Sequence, residues 1–203
     1  MRNLPKHSPF RYFKTSPEII RLAVMLYVRF PLSLRNVEDL LHERGIDVSY
    51  ETIRFWWNRF GPIFASEIRR KRVQRSRCWT QGQWHMDEVF VKINGETHYL
   101  WRAVDHEGEV LRSYGAAMKE IGNVNWHETG RWRNNRAENS HLLFRRRERA
   151  MNCFRRMRTL QNFVSIHAAV YNHFNQERGL YSRLNFKLNR SIALAEWLGL
   201  CAG

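Results

Sequence analysis

The sequence predicts a mixed α and β protein, with an all-α N-terminal region followed by an α/β domain. Three observations predict it. Apolar residues recur at helical spacing from Ile19 to Phe60. The period then changes to strand-like alternation over Trp84 to Ile93, with a returning strand from Thr97 to Val104. Helical spacing returns after Arg136.

Residues 1–15 read as a loose basic arm. Ser16-Pro17-Glu18 is a helix start, with a capping hydroxyl, a proline at the first helical position and an acid in the first turn. Ile19, Ile20, Ala23, Val24, Tyr27 and Val28 carry that helix to about Arg29, and Pro31 breaks it. Ser33 begins a second helix with Leu34, Val37, Leu40 and Leu41 inward, and Gly45 ends it. Ser49 caps a third, whose buried side is Thr52, Ile53, Trp56 and Phe60. Asn94-Gly95 is a two-residue hairpin turn between the two strands. Glu109 to Leu111 can begin a third strand, and a brief helical pattern starts at Ser113. A loop rich in Asn, Gly and Trp runs over 122–135. Helices are expected at about Arg136 to Arg149 and Thr159 to Asn175, with a short one near Ser191 to Leu200.

Helix, short Gly-containing turn, helix is the helix-turn-helix layout, with the third helix as the one that enters the major groove. Its other side carries Tyr50, Glu51, Arg54 and Asn58. Arg can read guanine, Asn can read adenine, and Tyr and Arg can hold phosphate. A three-helix bundle with a merely solvated outer side fits the same pattern. The formal net charge of +15 favours a polyanionic partner, since phosphate contacts release condensed counterions. A ribosomal or simply basic protein would show the same excess. The run Arg69 to Arg77 reads as a basic linker. The expected division is therefore 1–68 for DNA binding, 69–80 as linker and 81–203 as the α/β domain.

Composition excludes several classes. Cys78, Cys153 and Cys201 lie too far apart for a disulfide framework or a paired zinc motif. No apolar run is long enough for a membrane span, and Met1 to Phe13 lacks a signal-peptide core, so a cytoplasmic protein is expected. Eight Trp and twelve Phe argue for a buried core rather than a disordered basic tail.

Two carboxylates stand out. Alternation puts Asp87 on the same strand face as Val89, Val91 and Ile93. An ionised acid there needs a cation, either an Arg or solvent at the strand end or a bound metal. His85 points to the opposite face and reads as structural. Glu138 shares a helix face with His141, Leu142 and Arg145. It can bind a metal while Arg145 holds a phosphate, or it can form a surface salt bridge.

These motifs together resemble a known family. Ser49-Tyr50-Glu51-Thr52-Ile53, Trp84-His85-Met86-Asp87-Glu88, the hairpin leading to Tyr99-Leu100-Trp101-Arg102-Ala103-Val104-Asp105, and Asn134-Asn135-Arg136-Ala137-Glu138-Asn139-Ser140-His141 follow one another in the chain. They resemble bacterial insertion-sequence transposases of the DDE type, most closely the insertion sequence six group. The resemblance implies a ribonuclease-H-like domain in which Asp, Asp and Glu gather two magnesium ions for strand cleavage and transfer. It implies Asp87 as the first acid, Glu138 as the last, and Arg145 as the basic residue that follows. The implied partners are double-stranded DNA of element ends and further copies of the same chain, working at the bacterial nucleoid.

The second acid of that pattern is missing. Gly108-Glu109-Val110-Leu111 runs straight into Arg112-Ser113-Tyr114-Gly115-Ala116-Ala117, where the resemblance calls for a crossover helix and another strand. Only 51 positions separate Asp87 from Glu138, too few for two hairpin strands, a helix, a loop and a parallel crossover. The chain reads as an internally deleted copy, with a truncated catalytic domain. Glu109 takes the place of the missing acid by count, but on the wrong strand, and Asp105 belongs to the end of the second strand. Two functions are expected from this: a transposase impaired in catalysis, or a DNA-binding remnant that competes with the intact enzyme.

Overall fold

The computed structural model describes residues 8–75, 84–105, 110–111, 135–151, 154–175 and 182–201. Helix α1 spans Pro17–Arg29, with the Ser16 side chain accepting from the Ile19 N–H. Helix α2 spans Leu34–His42 and opens on a reciprocal cap between Ser33 and Asn36. Gly45, at φ 72°, turns the chain in the left-handed region after α2. Helix α3 spans Tyr50–Arg75, and its Thr52 N–H donates to the Ser49 hydroxyl at 3.3 Å. The three helix starts lie where the capping residues predict them.

Two expectations for this region are corrected. Arg69 to Arg75, expected as linker, are the last turns of α3. Arg, Lys and Gln are good helix formers and no breaker separates them from Ile68. Arg69 Nη1 also donates to the Ser165 carbonyl at 3.2 Å, which ties this end to the body. The arm is not loose at Phe10 and Phe13. Phe10 is fully buried and stacks on Phe60 at 4.9 Å, while Phe13 meets Phe60 edge-on at 4.9 Å.

Strands β1 (Trp84–Ile93) and β2 (Glu96–Asp105) form an antiparallel hairpin. Asn94 at φ 52° and Gly95 at φ 89° make the tight turn that their sequence predicts. Strand β3 (Val110–Leu111) pairs antiparallel with β2, giving the order β1-β2-β3. Val89, Val91 and Ile93 are buried while Phe90 and Lys92 are exposed, as alternation requires. The expected helix after Ser113 and most of the expected loop over 122–135 lie outside the described residues.

Helices α4 (Asn135–Ala150), α5 (Met157–Phe174) and α6 (Arg183–Leu198) complete the described chain. Helix α4 packs on β1 and β2, and α5 packs on α1, α3, α6 and β3. Helix α6 begins eight residues before the expected start, with the Ser182 hydroxyl accepting from the Asn185 N–H at 3.3 Å. Its apolar residues fall on two opposite faces, which blurs the single stripe that periodicity detects. Ala193 and Trp197 face the core, whereas Leu184, Leu188, Ile192 and Leu198 are exposed.

One buried cluster draws on the first and last thirds of the chain. Phe10, Val24, Trp56, Phe60 and Phe64 join Phe163, Val170 and Phe174 of α5 and Trp197 of α6. Phe64 meets Trp197 edge-on at 5.5 Å, and Trp57 meets Phe163 at 5.8 Å. Arg21 Nε donates to the Leu200 carbonyl at 2.7 Å, and Trp197 Nε1 donates to the Arg21 carbonyl at 3.1 Å. Among the described residues no helix is long and apolar enough to cross a membrane.

Candidate functional site

The outer side of α3 is an exposed polar surface. Ile53, Trp56, Trp57 and Phe60 are buried, while Glu51, Arg54, Phe55, Asn58 and Arg59 are exposed. The division follows from the 3.6-residue period. Tyr50 stands in the first turn, half-buried, with its hydroxyl donating to Glu51 at 3.5 Å. Two cations approach its ring: Arg54 one turn on and Arg35 of α2, each with Cζ 5.5 Å from the ring centroid. The pairs hold both guanidinium groups beside the open start of a capped helix. That end of a helix already presents backbone N–H groups and favours anions.

Sequence reasoning singled out Tyr50, Arg54 and Asn58, and the structure brings them onto one exposed arc. It missed Arg35 and Phe55. Arg35 belongs to α2 and reaches Tyr50 only through the packing of α2 on α3. Phe55 could have been found as an apolar residue on the polar side of the helical period.

The two acids lie on neighbouring elements. Asp87 is in β1, paired in register with Arg102 and two residues before buried Val89. Glu138 is in the first turn of α4, which packs against β1 and β2. The side chains of Asp87, Glu138 and His141 lie outside the described ones. Arg145 is half-buried and its Nη1 donates to Glu148 Oε2 at 3.0 Å, so an ion pair within α4 holds it. Leu142 is exposed. Asp105 ends β2 opposite Trp84, and Glu109 lies outside the described residues. Among the described residues, no three His, Cys, Asp or Glu gather as a metal ion would need.

Comparison with known proteins adds to this geometry. Residues 81–120 and 111–177 each match the family described as a DDE domain, the two matches overlapping at 111–120. The transposase for insertion sequence-like element IS431mec of Staphylococcus aureus is 35% identical over 102 residues, covering 50% of this chain and 43% of the relative. The transposase for insertion sequence element IS257 in transposon Tn4003, also of Staphylococcus aureus, is 34% identical over 102 residues with the same coverage. The chain thus spans less than half the length of the curated relatives it matches. No solved structure matches it.

Proposed function

This chain belongs by sequence to the DDE-type insertion-sequence transposases, and on that premise we propose that it binds insertion-sequence end DNA through α3 without a complete site for strand cleavage. The observation that carries the reading is the Arg35–Tyr50–Arg54 group at the exposed start of α3. With Asn58 it offers one residue type for guanine, one for adenine and two for phosphate. In this reading α2 and α3 act as a helix-turn-helix, and residues 1–68 form the DNA-binding unit. The net charge of +15 supports it. The protein then works on nucleoid DNA in a bacterial cytoplasm.

Residues 81–203 are read as the remainder of a ribonuclease-H-like domain. The antiparallel meander β1–β3 followed by α4 is compatible with that reading. Magnesium, if bound, would supply a hard cation for phosphate oxygens, and Asp87 and Glu138 are the acids to hold it. The family uses three acids and this donor set has two, so no cleavage step is assigned. The overlapping pair of domain matches is what an internal deletion would produce.

Self-association has a surface to use. Leu184, Leu188, Ser191, Ala195 and Leu198 line the face of α6 turned away from the core. Two such faces fit antiparallel about Ser191, with Leu188 opposite the small Ala195 and Leu184 opposite Leu198. That arrangement also places Arg183 and Lys187 of the two copies towards opposite ends. Leu188→Lys should turn a dimer into a monomer in sedimentation, and an unchanged mass overturns the assignment.

The deciding experiment is selection from random DNA duplexes, followed by strand-transfer assays with Mg²⁺ or Mn²⁺. We expect an enriched motif, binding weakened about tenfold or more by Arg54→Ala, and no strand-transfer product. A product that Asp87→Ala abolishes would mean a working metal site, with Glu109 the first residue to test as third ligand.

A further inference from the structure

We infer that Phe55 reads a thymine, its ring edge set against the 5-methyl group in the major groove. The inference rests on the DNA-binding reading of α3. Phe55 is 53% exposed, on the face that also carries Glu51, Arg54, Asn58 and Arg59. It is the sixth residue of α3, within the N-terminal turns by which a groove-bound helix meets base edges. Apolar side chains there recognise the thymine methyl, the single apolar group on the major-groove edges of the bases. Glu51, four residues earlier on the same arc, is an acceptor for the exocyclic amine of a neighbouring cytosine.

The ring does not hang free. Phe13 lies 6.1 Å from it at a 30° tilt, and Phe13 is itself anchored edge-on against Phe60 of the core. The arm therefore braces Phe55, which stays 53% exposed. The same arm carries Arg11, Tyr12 and Lys14, all exposed. Arg35 flanks the opposite edge of the arc through Tyr50. Basic residues are thus carried by the arm whose Phe13 contacts Phe55 and by Arg35 at Tyr50, where phosphates beside the bases would be met. A solvated Phe with no role does not explain the brace.

The test uses the full chain and the duplex enriched by selection. Each thymine of the motif is replaced by uracil, which removes the methyl group and nothing else. One position should weaken wild-type binding about fourfold, as loss of one buried methyl contact predicts, and Phe55→Ala should bind the thymine and uracil duplexes equally. Because the uracil swap is made in the DNA, it does not depend on how the variant folds. An enriched motif with no methyl-dependent position overturns the assignment of Phe55 and leaves the DNA-binding reading standing. A methyl dependence that persists in Phe55→Ala also overturns it. No enriched motif at all overturns the sequence-specific reading itself, and this inference with it.

Discussion

Arg147 Nη1 donates to the carbonyl oxygen of Leu32 at 2.6 Å, although 115 positions separate the two residues. The bond ties α4, beside the sheet, to the turn between α1 and α2. The guanidinium also lies 4.2 Å from the centroid of the Tyr27 ring. Burial pushes its pKa down to about 10, with Tyr27 opposing, so it stays charged at neutral pH. A basic residue in this chain is thus used as packing and not as a DNA contact.

That use predicts an asymmetry between variants. Arg147→Met should cost less than about 1.5 kcal/mol, since an apolar chain of similar length fills the site without a buried charge. Arg147→Ala should cost about 3 kcal/mol through the cavity it leaves. Urea unfolding of the full chain measures both. Equal losses would assign the energy to the Leu32 hydrogen bond instead of to packing.

Sharing of one core predicts that the N-terminal helices depend on the C-terminal ones. A 1–75 fragment exposes Phe64 and Ile68, which α5 and α6 otherwise help to cover. Its melting temperature by circular dichroism should fall about 10 °C or more below that of the full chain. An unchanged transition would mean that α1–α3 carry their own core.

Glu67 sets a pH dependence. Burial pushes its carboxyl up, but hydrogen bonds from Lys71 and Cys201 outweigh this and hold it below its ordinary value of 4.5. Lys71 Nζ lies 2.7 Å from one oxygen, and the Cys201 N–H donates to the other at 2.9 Å. A depressed acid contributes stability above its unfolded pKa and loses it as pH falls through the folded one. Wild type should therefore exceed Glu67→Gln by about 1–2 kcal/mol at pH 7, with the gap closing below about pH 4.5. A gap that stays constant to pH 3 would reject the assignment.

The same contact governs Cys201. Burial and then Glu67 push its thiol up to about 12, and its Sγ lies 3.2 Å from Glu67 Oε2. Alkylation at pH 8, mapped by peptide mass, should be slow at Cys201 and faster in Glu67→Gln.

The logarithm of the DNA-binding constant should fall linearly with log salt, and Arg54→Ala should flatten that slope by about one unit. A binding curve independent of salt would remove phosphate contact from the role of Arg54.

Much of the local structure was legible in the residues. Ser16, Ser33 and Ser49 mark helix starts, and Asn94-Gly95 marks the hairpin, because caps and turns are decided within about four positions. The arc of Tyr50, Arg54 and Asn58 was legible for the same reason, since helical period alone puts them together. Arg35 and the buried Phe10 were not, because each depends on which surface meets it.

The sequence by itself determined where α1, α2, α3 and the β1–β2 hairpin begin, and the likeness to DDE transposases. Tertiary structure decided that Arg69 to Arg75 continue a helix, that Phe10 leaves the arm for the core, and that α6 keeps one apolar face inward and one outward. The reason is physical. A cap or a turn is an energy between near neighbours in the chain, whereas burial is an energy between faces, and Trp197 meets Phe64 only after the intervening chain has folded.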